Sequence, residues 1–401
     1  MVQRMGRGGG SRHGSRDPGK RNQVEKDTRL AFEMNVLILN PYHTGSHAHW
    51  AEGLQQHLSQ IDGITAELWT LPGRNWKWRM HGAGGEFAHR TAASKAMPDI
   101  IITTDMLDVA SFKGLLTAPW RPIPVVQYFH ENQLSFPWSP GDTEKARGLN
   151  HTYEFINIQS CTAADWIWFN SSYHKKIFIE EATSFMKRMP DYKDGYSIQA
   201  ITKKSSVLPV GINTPEFTNL KRPLSTPPTI LWNHRWAYDK GPEKFFESLN
   251  KLGHGGHEFQ LIMCGRKYEV VPTVFQTILD QFSNRILHYG YATTREKYIQ
   301  LLHASDFIIH DPLQEYFGVS VAEAMSFGVI PLLNADQAYP SWVPEGFLYR
   351  DSGEMLSKWD HWKSRFSEGR ELANATASDF FWPNIAQSAY RELCQHFEIT
   401  P

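Results

Sequence analysis

Short apolar runs, each closing on a polar or glycine-bearing loop, recur along the chain and alternate with stretches at helical spacing. Asn35–Asn40 (NVLILN) predicts a buried strand, followed by a tight turn at Gly45 and Ser46, with Ser46 as cap of a helix to about Ser59. Strands follow at Ala66–Leu71, Asp99–Asp105 and Pro124–Glu131. A helix at Ala146–Cys161, a strand at Asp165–Asn170, a helix at Ser172–Ala182 and a strand at Ser206–Ile212 come next. Residues 189–205 are polar and irregular, as a surface loop would be.

KRPLSTPP, residues 221–228, reads as a linker because its prolines cannot continue a regular element. Beyond it the alternation restarts with strand Thr229–Asn233, helix Pro242–Leu252, strand Glu258–Cys264 and a helix near Val271–Leu279. Strand Ile286–Tyr289, helix Thr294–Ala304 and strand Phe307–His310 lead to a helix that opens past Gly318 and stops at Gly328. A terminal helix spans about Phe380–Phe397. Such alternation predicts an α/β chain of two parallel-sheet domains, 34–213 and 229–375, joined by 214–228 and trailed by a C-terminal segment 376–401.

Composition adds bounds. The 401 residues suffice for two domains with real cores. A net charge of -1 gives no bulk case for nucleic acid, so any such contact must be a local patch. Three dispersed cysteines (Cys161, Cys264, Cys394) form no Cys-x-x-Cys and fit a reducing cytoplasm. No apolar run reaches membrane-spanning length, so no membrane partner is expected. Residues 1–33 are rich in Gly, Arg and Ser without an apolar core, which predicts a disordered basic extension with weak RNA affinity at most.

Candidate chemistry clusters where predicted strands end, as ligands do in open α/β sheets. Glu315 lies in the loop after strand Phe307–His310 and Glu323 lies within the following helix. The tip of that helix, Phe317, Gly318, Val319 and Ser320, offers backbone N–H groups and a partial positive charge suited to a diphosphate. Glu323 is placed to accept from ribose hydroxyls and Glu315 from a second sugar; the plain alternative is two solvated glutamates. Arg235 ends the strand ILWNHR and Lys240 follows five residues later, two cations suited to phosphates or two ordinary surface charges. No Asp-x-Asp occurs, so no metal is expected, and those cations must stabilise the phosphates themselves. His43, His47 and His49 lack the third ligand pattern of a zinc site. His130, Glu131, Asn132 and Gln133 close another strand. Trp76, Lys77, Trp78 and Arg79 interleave rings and cations, either as a base-stacking surface or as core tryptophans between solvated charges.

Assembled, these residues resemble the retaining GT-B glycosyltransferases of family four. The shared features are a Glu–seven residues–Glu element (Glu315, Glu323), an Arg and Lys segment (NHRWAYDKG, with His234 where Gly is usual), a glycine turn at Gly45, and a cleft histidine, His130. NPYHTGSHAHW, TLPGRNWKWRM, YFHENQLSFP and VLPVGI are similar to the tRNA-queuosine alpha-mannosyltransferases. The resemblance spans roughly residues 34–400; the basic extension is outside the family pattern. It implies a GT-B fold of two Rossmann-like domains facing a central cleft. It implies GDP-mannose as nucleotide-sugar donor and the queuosine base at the tRNA wobble position as acceptor. His130, Glu315, Arg235 and Lys240 then become catalytic. Gly45, Ser46, Arg235, Lys240, Glu315, Phe317–Ser320 and Glu323 become donor-binding, and Trp76–Arg79 with Glu131 and Asn132 acceptor-binding. Two alternatives stay open: a GT-B enzyme with a lipid, polysaccharide or small-molecule acceptor, and a non-catalytic RNA- or sugar-binding module.

Overall fold

The computed structural model describes residues 33–138, 150–191, 193, 198–267 and 271–397. The extension expected before Glu33 and the start of the helix expected from Ala146 lie outside the described residues. Two six-stranded sheets organise the rest, and every recorded strand pair in them is parallel.

The first sheet takes β1 (Met34–His43), β2 (Ile64–Pro72), β3 (Ile100–Thr104), β4 (Val125–Phe129), β5 (Trp166–Phe169) and β6 (Ser205–Val207) in the order β2-β1-β3-β4-β5-β6. Its strands are continuous apolar runs because helices cover both faces; all five residues of β3 and of β4 are buried. The covering helices are α1 (Gly45–Leu58), α2 (Trp76–Ala93), α3 (Val109–Leu115), α4 (Asn150–Ala163), α5 (Ser172–Arg188) and α6 (Ile198–Lys203). Phe87, Phe112, Phe129, Phe169, Phe178 and Phe185 fill the space between them. Each such buried ring contributes about 1.5–3 kcal/mol relative to exposure.

The second sheet takes β7 (Thr229–Trp232), β8 (Gln260–Cys264), β9 (Ile286–Gly290), β10 (Phe307–His310), β11 (Ile330–Asn334) and β12 (Leu348–Tyr349) in the order β12-β11-β10-β7-β8-β9. Its helices are α7 (Pro242–His254), α8 (Val274–Phe282), α9 (Arg295–Ala304), α10 (Val319–Ser326), α11 (Ser352–Ser364) and α12 (Phe366–Ser378). The last helix, α13 (Trp382–Phe397), returns to the first sheet. Phe381 bridges Ile212, and Glu392 Oε2 accepts from Trp168 Nε1 (2.8 Å), Trp166 Nε1 (3.3 Å) and Ser206 Oγ (2.5 Å).

Several local expectations are corrected. Thr44, not Ser46, occupies the cap position of α1, because the helix already begins at Gly45; no side-chain cap bond forms there. Residues 76–93, which carried no predicted element, form α2. Its core face (Met80, Ala83, Gly84, Phe87, Ala88, Thr91) is helical in spacing but diluted by glycines. The loop predicted over 189–205 contains α6. The strand expected to reach Ile212 stops at Val207, since Pro209 has no N–H for the ladder. Among the described residues no helix is long and apolar enough to cross a membrane.

Candidate active site

In the second sheet the strand order reverses between β7 and β10, which opens a crevice beyond their carboxyl ends. Arg235, three residues past β7, points Nη2 at Asp239 Oδ2, 2.7 Å away. The loop then turns tightly at Tyr238–Lys240, and Leu313 N–H donates to the Asp239 carbonyl at 2.9 Å, tying this loop to the one after β10. Lys240 Nζ donates to Glu315 Oε2 at 2.7 Å and stands 3.7 Å from Asp239 Oδ2. Burial pulls the Glu315 carboxyl up, but the Lys240 ammonium outweighs it, and the Phe317 backbone N–H helps hold the group below its ordinary range. The two cations and the loop glutamate singled out by spacing therefore share one crevice.

Glu323 closes the other end of this crevice from within α10. Its Oε2 accepts from Tyr298 Oη at 2.9 Å and its Oε1 lies 2.5 Å from Arg295 Nη2, both on α9. Asn233 links this end to the Arg235 strand, donating to the Ser320 carbonyl (2.9 Å) and Tyr298 Oη (3.1 Å). His234 Nδ1 meets Ser320 Oγ at 2.8 Å, and its ring stacks on His310 with centroids 3.6 Å apart. Burial holds both imidazoles well below their ordinary range, so both are neutral. Gly318 starts α10 at φ +93, and a Cβ there would lie 2.7 Å from the Tyr339 ring, so only glycine brings the helix tip this close.

The first sheet supplies the facing wall. At the end of β4, His130 N–H donates to Asp105 Oδ1 (3.0 Å) and its ring Nδ1 lies 3.2 Å from the same oxygen. His47, in the first turn of α1, sits over His130 with ring centroids 4.2 Å apart. Burial lowers both histidines to about 3 and raises Asp105 to about 6. His47, Asp105 and His130 each offer one donor atom within 4.8 Å of the others, the group among the described residues able to hold an ion. The His43–His47–His49 cluster does not assemble; His43 Nε2 pairs with Glu52 at 3.0 Å instead. Burial raises Glu131 to about 7, with Asp105 adding and Arg235 opposing. Asn132 is buried, and its Oδ1 accepts from Leu134 N, Ser135 N and Ser135 Oγ (2.9–3.1 Å).

The walls face each other and touch. Arg235 helps lower His47, and the charges of Glu323 and Arg295 act on His49, both histidines lying on the first turn and a half of α1. Tyr316, next to Glu315, is buried in the opposite wall. Its Oη meets Ser135 Oγ (2.9 Å) and donates to Asn132 O (3.3 Å), Ser171 Oγ donates to its carbonyl (2.5 Å), and its ring stacks on His174 at 4.1 Å. Tyr238 Oη also donates to Pro137 O at 2.7 Å.

The Trp76–Arg79 stretch is the first turn of α2 and splits. Trp76 packs against Tyr153 (5.2 Å) and Trp138 (6.4 Å), Lys77 Nζ lies over the Trp76 and Trp138 rings, and Arg79 Nε donates to Pro72 O, whereas Trp78 is 64% exposed. Sequence reasoning missed Asp105, Asp239, Arg295, Tyr298 and Tyr316. Asp105 carried a signal, since it closes a predicted strand on the ligand side of the sheet; Tyr316 carried none.

Comparison with known proteins fits this geometry. Residues 35–212 match the family model described as tRNA-queuosine alpha-mannosyltransferase N-terminal, and residues 216–353 match glycosyl transferases group 1. The chain is 28% identical over 335 residues to the tRNA-queuosine alpha-mannosyltransferase of Drosophila melanogaster, covering 81% of this chain and 85% of that protein. It is 24% identical over 164 residues to the GDP-mannose:cellobiosyl-diphosphopolyprenol alpha-mannosyltransferase of Xanthomonas campestris, covering 40% and 42%. Sucrose-phosphate synthase from Thermosynechococcus elongatus superposes with a TM-score of 0.66 at 13% identity, over 91% of this chain and 100% of that one. At that identity the likeness speaks for the fold alone, a GT-B arrangement of two parallel-sheet halves about a cleft.

Proposed function

The chain belongs to the tRNA-queuosine alpha-mannosyltransferase family of GT-B glycosyltransferases, and from that premise we propose that it moves mannose from GDP-mannose onto the queuosine base at the tRNA wobble position. One observation supports the reading above others: Arg235, Lys240, Glu315 and Glu323 line a single crevice beyond β7 and β10, opposite His130. The donor's ribose lies on Glu323 and its diphosphate on Arg235, Lys240 and the helix tip Phe317–Ser320. Its hexose hydroxyls meet Glu315, with His130 against the sugar from the other wall and Gly45 and Ser46 over the donor. Glu131 and Asn132 line the acceptor side, in a cytoplasmic setting where tRNA is at hand.

The bond from sugar C1 to the phosphate oxygen breaks, and its electron pair leaves on that oxygen. Arg235 and Lys240 stabilise this charge as positioned donors, without a divalent ion. The acceptor hydroxyl adds to C1 on the face just vacated, and its proton passes to the departing phosphate oxygen, so configuration is retained. A second reading, a diphosphopolyprenol acceptor, is favoured by the Xanthomonas relative's name. One experiment separates them: incubate the protein with labelled GDP-mannose and queuosine-containing tRNA, then digest the RNA to nucleosides. A parallel incubation replaces the tRNA by a cellobiosyl-diphosphopolyprenol acceptor; label on queuosine supports the proposal, and label on the polyprenol alone would sink it.

A further inference from the structure

Strands β1, β3 and β4 are neighbours in the first sheet, and His47, Asp105 and His130 stand just past their carboxyl ends, His47 in the first turn of α1. Each of the three offers one donor atom within 4.8 Å of the other two. Asp105 is 2% exposed and His47 7%, and the His130 side chain is 8% exposed.

The polar atoms of this set are incompletely matched. Among the described residues Asp105 has no Lys or Arg within ion-pair distance, its partner being His130. A buried carboxylate without a cation is costly. His47 Nδ1 is buried with no hydrogen-bond partner at all. The 3.2 Å between His130 Nδ1 and Asp105 Oδ1 is also long for a charge-assisted hydrogen bond, which runs to about 2.7–2.9 Å. It matches the gap of about 3.3 Å between two ligands of a tetrahedral ion with bonds of about 2.0–2.1 Å.

The backbone at all three positions is held from behind by an asparagine. Asn40 Nδ2 donates to His47 O (2.9 Å), Asn157 Nδ2 to Asp105 O (3.3 Å) and Asn170 Nδ2 to His130 O (2.9 Å). None of these asparagines is more than 4% exposed. Aromatic rings wall the set, with Tyr42 edge-on to His47 at 5.6 Å, and Trp50 and Tyr128 edge-on to His130 at 5.0 and 4.8 Å. Donors fixed by a supporting layer and closed off by apolar rings are preorganised for an ion.

We propose that His47, Asp105 and His130 bind one divalent transition ion of the zinc type, with a fourth position left for water or a substrate oxygen. Two imidazoles and a carboxylate suit such an ion better than magnesium or calcium, which prefer oxygen donors throughout. This site is separate from the donor reading: Arg235 and Lys240, on the other wall, remain the groups that meet the phosphates. The raised Glu131 carboxyl belongs to the ion-free protein, since a dication nearby would pull it down.

The test uses the whole chain purified without chelator. It should carry about one equivalent of zinc by elemental mass spectrometry. Stripped with chelator and refilled with Co2+, it should show the strong visible bands of four-coordinate cobalt. In calorimetric Zn2+ titrations, His47→Ala and Asp105→Asn should lose about 100-fold or more in affinity, and Asn170→Ala, which frees His130 from behind, about tenfold. His43→Ala and His49→Ala, outside the set, should bind as wild type does. Circular dichroism shows which variants are folded, and the cobalt spectrum of the wild-type protein depends on none of them. Failure of both purified and stripped protein to hold zinc would overturn the proposal. So would the weak spectrum of six-coordinate cobalt, or undiminished Zn2+ affinity in folded His47→Ala, which would mark binding by surface histidines only.

Discussion

Replacing Tyr316 by Phe removes a single oxygen from the joint between the two walls. That oxygen meets Ser135 Oγ at 2.9 Å and Asn132 O at 3.3 Å, while the ring that stacks on His174 is untouched. A buried hydrogen bond contributes about 0.5–1.5 kcal/mol net, and the longer of these two falls at the low end. The pair is therefore worth about 1.5 kcal/mol, close to a factor of ten. Because Glu315 precedes Tyr316, loosening the joint frees the glutamate that holds Lys240. With GDP-mannose and queuosine tRNA, kcat/KM of Tyr316→Phe should fall about tenfold. Ser135→Ala, which breaks the same contact from the opposite wall, should cost a similar amount, and the double variant little more. A Tyr316→Phe enzyme within twofold of wild type, or a double variant whose losses simply add, would show that the joint does not position Glu315.

Further outcomes are specific to single groups. Arg235→Ala and Lys240→Ala should each lower kcat by about 10²-fold or more, as loss of a leaving-group donor does; single-turnover rates with saturating donor check this. Glu323→Gln should raise the donor Kd about tenfold, read by calorimetry, because the charge-assisted hydrogen bond to ribose that we propose becomes a neutral one. Glu131 titrates near 7 when folded against 4.5 for its ordinary value, so the folded protein holds a proton that the unfolded chain has lost between those limits. Stability from this group is thus full below about 4.5 and declines as pH rises toward 7. Glu131→Gln should accordingly melt higher than wild type at pH 8, with the gain shrinking toward pH 4.5 in thermal melts; an equal gain at both ends contradicts the assignment.

That Arg235, Lys240, Glu315 and Glu323 lie near one another was legible, because all four follow the ends of two strands that prove adjacent in a parallel sheet. The same logic reached His130 but stopped short of Asp105, whose partner lies 25 residues away across a strand pairing that the sequence does not display. Tyr316 was beyond reach, since its meaning lies in Ser135, 181 positions earlier. Trp76 and Trp78 share type and neighbourhood, yet opposite faces of one helix turn decide their fates. That helix was itself hidden by Gly82, Gly84 and Gly85. The stretch between Asn334 and Phe380, which yielded no expectation, holds α11 and α12, whose buried residues are few per turn and surrounded by charge.

Each cation in the crevice already has a counter-charge: Lys240 has Glu315, Arg235 has Asp239 and Arg295 has Glu323. In the proposed seating a diphosphate enters a site in which these six groups sum to zero, so bare attraction would not explain its capture. What the arrangement permits is exchange. As phosphate oxygens approach Lys240 and Arg235, the carboxylates are released to accept hydrogen bonds, and a nucleotide-sugar carries hydroxyls on both sides of its diphosphate for Glu315 and Glu323 to take. A bare diphosphate offers the anion but not the hydroxyls, and leaves both half-buried glutamates beside a new negative charge. Preference for the whole donor over its phosphate fragment is the outcome this pairing predicts, because like charges brought together on half-buried groups are costly unless each finds a partner.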